Sequence, residues 1–315
     1  MLLLFGARDI IMRIRIEAND KIMAPAHFAH LSNRGKGILM SLFGVFVLSP
    51  DSLMIRLAGL DDYTLIFYRG LFPAIAITLL LWIYYRGRLL PALLAIGWAG
   101  IANGILFALV NITFISAIQR TSVANTLLFL SSAPIFAALL SLVVLRENQR
   151  PSTWLIIGLS LISIFIIGWG SYGTNGMLGD LFALGCALVT AASAVLVRYR
   201  RDTDLVPSII LGSLLTAAFA LSQSPQLAIS SQQLLYVGVI GFLLIPCAFV
   251  LLTIAPRFAN SAEVQLVYLL ESVLGPLWVW LVVHETPSLN TLIGGAMLLA
   301  SVAWFAQHTL REETS

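Results

Sequence analysis

Ten stretches of about twenty apolar residues follow one another along this chain, and a bilayer is the solvent that accommodates them. A helix needs about 20 residues to cross roughly 30 Å of hydrocarbon. The runs lie at 37–57, 63–84, 91–118, 123–145, 152–169, 177–198, 205–222, 232–252, 261–283 and 289–308, bounded by charge, Pro, Gly or Asn. They are too long for barrel strands and lack strand alternation. Helices then satisfy the backbone groups that hydrocarbon leaves dry. The expected fold is an all-α polytopic membrane protein with ten transmembrane helices. Charged residues make up only 10% of the chain, against about 25% in soluble domains. That excludes a soluble enzyme, a nucleic-acid reader and a disordered chain. Cys186 and Cys247 both lie in apolar runs, which argues against a disulfide framework.

Residues 1–36 read as a cytosolic tail, with Arg8, Arg13, Arg15, Lys21 and Arg34 interspersed with Asp9, Glu17 and Asp20. The apolar start Met1–Phe5 is too short for a signal-peptide core and has no basic region before it. Met12 and Met23 are alternative start points to Met1. With the N-terminus inside, the tail and the inner loops hold fifteen of the 18 Lys and Arg residues. Only Arg56 and Arg120 fall outside, and Arg69 lies within a span. This positive-inside bias places both termini, including the tail 309–315, in the cytosol and explains the net charge of +3 by topology.

The halves resemble each other. Gly37 and Arg56 bracket the first run as Gly179 and Arg198 bracket the sixth, at an offset of 142. Val143-Val144-Leu145-Arg146-Glu147 ends the fourth as Leu281-Val282-Val283-His284-Glu285 ends the ninth, at an offset of 138. Gly158 and Gly295 follow. Five helices per half is an odd number, so the halves are expected to be inverted relative to each other, an arrangement typical of transporters with substrate at the midplane. The segments are 37–169 and 177–308.

Phe67-Tyr68-Arg69-Gly70, Ser132-Ala133-Pro134-Ile135-Phe136, Leu145-Arg146-Glu147 with Pro151 and Gly158, and Glu285 with Pro287 and Gly294-Gly295 together make the chain resemble the EamA family of the drug/metabolite transporter superfamily. The resemblance covers about residues 37–308. It implies two inverted five-helix repeats around a central cavity, alternating access and, usually, metabolite export. Its members move amino acids, nucleotides, sugars and drugs, so it names no substrate. Ser272 stands where Pro134 would align, with Pro276 one turn later, so the fourth and ninth helices are not equivalent in proline.

Ionisable groups inside spans are functional candidates by default. Asp51, after Pro50, and Arg69 each lie six residues from the outer end of consecutive helices, roughly 9 Å deep, which suits an ion pair. Glu271 lies about 15 Å from the cytosolic end, near the midplane, on a stripe with Val264, Tyr268, Gly275 and Trp278 that suits a cavity wall. Asn103 and Asn111, eight apart, face either that cavity or neighbouring helices. For each of these groups a purely structural role is the alternative. Gly100 and Gly104 read as close packing, and Pro50, Pro73, Pro134, Pro246 and Pro276 as kink positions. Glu147 and Glu285 read as capping or turn residues.

The expected function is a secondary transporter in a cell membrane, the inner membrane if the cell is bacterial. It moves a small polar, amino-acid-like or amphipathic solute, with export favoured and proton coupling through Glu271. A non-transporting membrane scaffold or receptor is the alternative. The sequence has no HExxH or GxSxG, and His284 and His308 lack further ligands. No enzyme activity, cofactor, metal or nucleic-acid partner is therefore expected. The expected partners are the solute and the lipid bilayer, with oligomeric state left open.

Overall fold

The computed structural model describes residues 32–121, 123–147, 151–169, 177–223 and 227–283, together with 293, 296, 297, 300, 301, 303 and 304. Residues 1–31 of the N-terminal tail, the tail 309–315, His284, Glu285, Pro287, Gly294, Gly295 and His308 lie outside the described residues, as does most of the tenth run, while residues 33–36 of the expected tail belong to the first helix. The described residues contain helices and no strand. Among the described residues, six helical stretches are long and apolar enough to cross a membrane, and Ala133–Leu145 and Ser208–Ser222 are shorter apolar helices. Phe43, Leu94 and Val143 are 62%, 73% and 76% exposed, part of an apolar exterior that suits lipid and would be a liability in water.

The first run divides into α1 (Asn33–Leu48) and α2 (Asp51–Ala58). Pro50 lacks the N–H that would bond the Phe46 carbonyl, and the Ser49 hydroxyl donates to that carbonyl instead, at 2.8 Å. α3 (Asp62–Tyr84) starts where Asp61 accepts from the Thr64 N–H at 3.1 Å. The third run begins later than expected. α4 (Leu89–Ala95) is separate from α5 (Gly97–Arg120), and Gly97 between them has φ +57°, a conformation glycine adopts without strain.

The fourth run also divides, into α6 (Val123–Leu130) and α7 (Ala133–Leu140), and a π-turn follows at Ser141–Leu145. α8 is Pro151–Trp169 and α9 is Met177–Tyr199. α10 is Ser208–Ser222, its start set by Pro207. α11 (Ser231–Val239) passes through a π-turn at Ile240–Leu244 into α12 (Ile245–Ile254). α13 (Ser261–Tyr268) and α14 (Glu271–Val283) divide the ninth run. This break has no proline; Pro276 lies inside α14. The Ser272 hydroxyl donates to the Leu269 carbonyl at 2.7 Å. α6 and α13 begin 138 residues apart, and so do α7 and α14.

Helices from the two halves pack on one another: α3 on α10, α5 on α9 and α10, α1 on α12 and α13, and α7 on α9 and α13. Their directions follow from individual contacts. Tyr68 bonds the Leu227 carbonyl and Tyr85 bonds Asp204, so α3 and α10 run antiparallel. Asn103 meets Ser193 and Thr121 meets Asp180, so α5 and α9 do too. Small residues permit the closest approach. A Cβ on Gly70 would lie 2.4 Å from the Ala217 backbone nitrogen and 2.7 Å from the Ser213 carbonyl. Gly70→Ala is therefore expected to force α3 and α10 apart and to cost about 1–3 kcal/mol, read as a lowered melting temperature in detergent. An unchanged melting temperature would show that the helices separate freely.

Candidate functional site

The helix breaks meet at one place. Asp51 is the first residue of α2 and Glu271 the first of α14, each in the first turn after an interruption. Carboxylates at helix N-termini are favoured by the helix dipole. α3 supplies Arg69, α5 supplies Asn111, and Tyr268 ends α13. These five residues, with Leu48, Val110, Phe114, Leu130, Cys186, Thr190 and Phe249, line one cavity of about 350 Å³ of atom-free space.

Asp51, Arg69 and Glu271 are 1%, 3% and 3% exposed. Arg69 Nη1 donates to Asp51 Oδ1. The Arg69 guanidinium also lies over the Phe114 ring, 5.7 Å from its centroid. Four buried polar atoms around the cavity have no hydrogen-bond partner among the described residues: Arg69 Nε, Asn111 Oδ1, Thr190 Oγ1 and Glu271 Oε2. Buried polar atoms are normally paired. An unpaired donor, two unpaired acceptors and a hydroxyl that can act as either, around one space, are a set that a solute bearing both kinds of group can satisfy. Asn111 Nδ2 is occupied by the Phe107 carbonyl at 3.0 Å.

Of the residues singled out from sequence, Asp51, Arg69, Asn111, Tyr268 and Glu271 come together here. Asn103 does not: its Nδ2 donates to Ser208 Oγ at 2.8 Å and its Oδ1 accepts from Ser193 Oγ at 2.7 Å, which ties α5 to α10 and α9. Trp278 stands beside the cavity, and its Nε1 donates to Ser49 Oγ at 2.8 Å, bracing the α1–α2 break. Gly104 packs against α10, as close packing requires. Sequence reasoning passed over Thr190 and Gln265. The available signal was an uncharged polar side chain inside an apolar run, with Gln265 three residues before Tyr268 on the same helix.

A second cavity, with about 490 Å³ of atom-free space including its opening to solvent, adjoins the first and shares Val110, Thr190, Phe249 and Tyr268 with it. Beyond it, one end of the bundle is tied by polar contacts. Arg34 Nε lies 3.1 Å from both Glu263 oxygens and its Nη2 2.8 Å from Oε1. Glu147 accepts from Arg198 at 3.2 Å and from Asn260 at 3.4 Å, so it joins the two halves besides ending its own turn. Tyr85 donates to Asp204 at 2.5 Å, and burial, with the Asp204 charge, pushes its phenol above the ordinary tyrosine range. These contacts all cross between residues 34–147 and residues 198–263. Replacing Glu147 and Glu263 together by Gln is expected to raise, several-fold, the reaction of a cysteine placed at Ser193 with a membrane-impermeant maleimide added at that face. An unchanged rate would remove the latch role.

The EamA-like transporter family matches the chain twice, over residues 35–169 and 177–307. An uncharacterized transporter, YdfC, of Bacillus subtilis (strain 168) is 25% identical over 284 residues, spanning 82% of this chain and 90% of that protein. An uncharacterized transporter of Archaeoglobus fulgidus is 29% identical over 196 residues, 61% of this chain and 71% of that protein. A protein crystal structure matches with a TM-score of 0.72 at 20% identity, covering 88% of this chain and 99% of that one. With most of the described and undescribed length covered by two copies of one family pattern, the chain belongs to the EamA-like transporter family.

Proposed function

We propose that the protein is a secondary transporter that exports a small polar, amino-acid-like or amphipathic solute by alternating access. In this reading ten transmembrane helices form two inverted repeats, 37–169 and 177–308, with short tails and both termini in the cytosol. The observation that carries it is the gathering of Asp51, Arg69, Asn111 and Glu271 around one buried cavity beside the helix breaks. Broken helices at a midplane site are how transporters present helix ends to a solute inside hydrocarbon. Inversion is supported by antiparallel pairing of α3 with α10. It is supported too by the matching breaks in α6–α7 and α13–α14, while Leu127 against Gly275 and Glu147 against Asn260 set those two pairs antiparallel.

Cation attraction follows from the charges. Asp51 and Arg69 offset one another, and Glu271 remains as the site's further acid. A protonated amine, or a proton, completes it.

The test is efflux of a metabolite mixture from proteoliposomes, together with metabolite profiling of cells with and without the protein. Net efflux above protein-free liposomes is expected. Identical profiles and no efflux would favour the scaffold or receptor reading. Cysteines at Asn175 and Arg200 are expected to label from outside and inside respectively; labelling of Asn175 only after permeabilisation would overturn the topology.

A further inference from the structure

The second cavity differs in chemistry from the first. No charged side chain lines it. Its polar groups are Thr190, Ser193, Thr253, Gln265 and Tyr268, and Phe107 and Phe249 form an aromatic wall with ring centroids 5.0 Å apart at 78°. Gln265 is 3% exposed, and its Oε1 has no hydrogen-bond partner among the described residues. An unpaired buried amide carbonyl is destabilising, so the position suits an atom that arrives with a ligand. Ser193 already donates its proton to Asn103, and the unpartnered Thr190 hydroxyl belongs to both cavities, so Gln265 is the unpartnered acceptor that lines the second cavity and not the first.

The two cavities also lie in series on one helix path. Gln265 and Glu271 are six residues apart along α13 and α14, about 9 Å, with Tyr268 midway and lining both. The charged groups stand at one end and the neutral acceptor at the other.

We propose that the second cavity is a subsite for a neutral hydrogen-bond-donating group, an amide or hydroxyl, at the far end of the same solute. This rests on the transporter reading above and names its substrate class: an extended solute with an amine that meets Glu271, an acceptor group that meets Arg69, and a donor that reaches Gln265 past Tyr268 and Phe249. Thr190 lines both cavities. The paired aromatic rings give the neutral end an apolar wall, and a hydrogen bond in such low-dielectric surroundings is strengthened.

The experiment uses proteoliposomes of the full chain loaded with equal amounts of L-glutamine, L-norleucine and L-alanine. Glutamine and norleucine are zwitterions of matched length, and only glutamine carries a terminal donor; alanine ends before the second cavity. Wild type is expected to release glutamine at least about five times faster than norleucine, on the scale that one well-placed hydrogen bond supplies. Gln265→Leu is expected to bring that ratio to near one while norleucine efflux persists. Thr253→Leu, which fills the cavity from α12 and leaves the Gln265 amide in place, is expected to slow glutamine and norleucine but spare alanine; it serves if Gln265→Leu does not reach the membrane. A glutamine-to-norleucine ratio that survives Gln265→Leu, or equal slowing of alanine and glutamine by Thr253→Leu, overturns the subsite. Efflux of all three no faster than from protein-free liposomes, by wild type itself, overturns instead the amino-acid-like reading on which the subsite rests.

Discussion

Replacing Asp51 or Arg69 singly by a neutral residue is expected to abolish flux and to lower the yield of folded protein, and exchanging the two is expected to restore yield without restoring flux. Either charge alone in the hydrocarbon is unfavourable by about 2.5–3.5 kcal/mol on insertion scales. Removing one partner of a buried pair costs about 3–5 kcal/mol, because the other charge is left uncompensated. Both side chains are almost fully buried, and each has the other as its ion-pair partner. The exchanged pair restores neutrality and most of the attraction, hence yield. It does not restore what the cavity contains. Arg69 Nε is unpaired there, and its planar fork offers a carboxylate a second contact besides Asp51. Moving the arginine to the first turn of α2 re-aims that donor and sets a cation against the positive end of a helix. Yield measured by fluorescence-detected gel filtration, and flux in proteoliposomes, separate the outcomes. Recovery of both quantities would reduce the pair to a strut between α2 and α3. Normal yield and flux in the single variants would mean that the pair contributes nothing.

Glu271→Gln is expected to flatten the pH dependence of transport and to remove uptake or efflux driven by a pH difference, with the fold intact. The amide keeps the volume and both hydrogen-bonding ends of the side chain but takes up no proton in the working pH range. The groups that face Glu271 are Asp51, Arg69, Tyr268 and Cys186 around the cavity. Asp51 is held by Arg69, so Glu271, with Oε2 unpartnered, is the carboxyl positioned to exchange a proton or an ammonium. A pH-rate profile of the variant that overlays the wild type refutes the proton role. A flat profile with a preserved melting temperature supports it.

Much of the site was legible because lipid makes charges conspicuous. In a chain where only 10% of residues are charged, Asp51, Arg69 and Glu271 stand out inside their runs, and equal depth on consecutive helices pointed to the Asp51–Arg69 pair. The apolar runs located α3, α8 and α9 to within a residue at either end for the same reason. The breaks were harder. Pro50 and Pro134 announce two of them, but the α13–α14 break falls at Leu269-Leu270, where nothing in the local sequence forbids a continuous helix. Its counterpart, Ser131-Ser132 in the other half, is what identifies it, through the offset of 138. Gln265 and Thr190 escaped notice because a single uncharged polar residue in a helix more often bonds a neighbouring carbonyl, as Ser41 and Thr216 do. Asn103 illustrates the converse: it carries the composition of a site residue and spends both ends of its amide on serines of adjacent helices.

The π-turn at Ile240–Leu244 is a matter of counting before it is one of shape. A helix that takes one residue more in a turn advances every later side chain by about 100° around its axis. Downstream of this turn come Phe249, Leu252 and Thr253, the residues α12 presents to the two cavities. Had the turn been α-helical, the same three letters would point about a quarter-turn away, toward neighbours or lipid. The wall of the cavity on this side is thus addressed by phase: its chemistry is written at 249–253, but its aim is written about nine residues earlier, in apolar positions that line neither cavity.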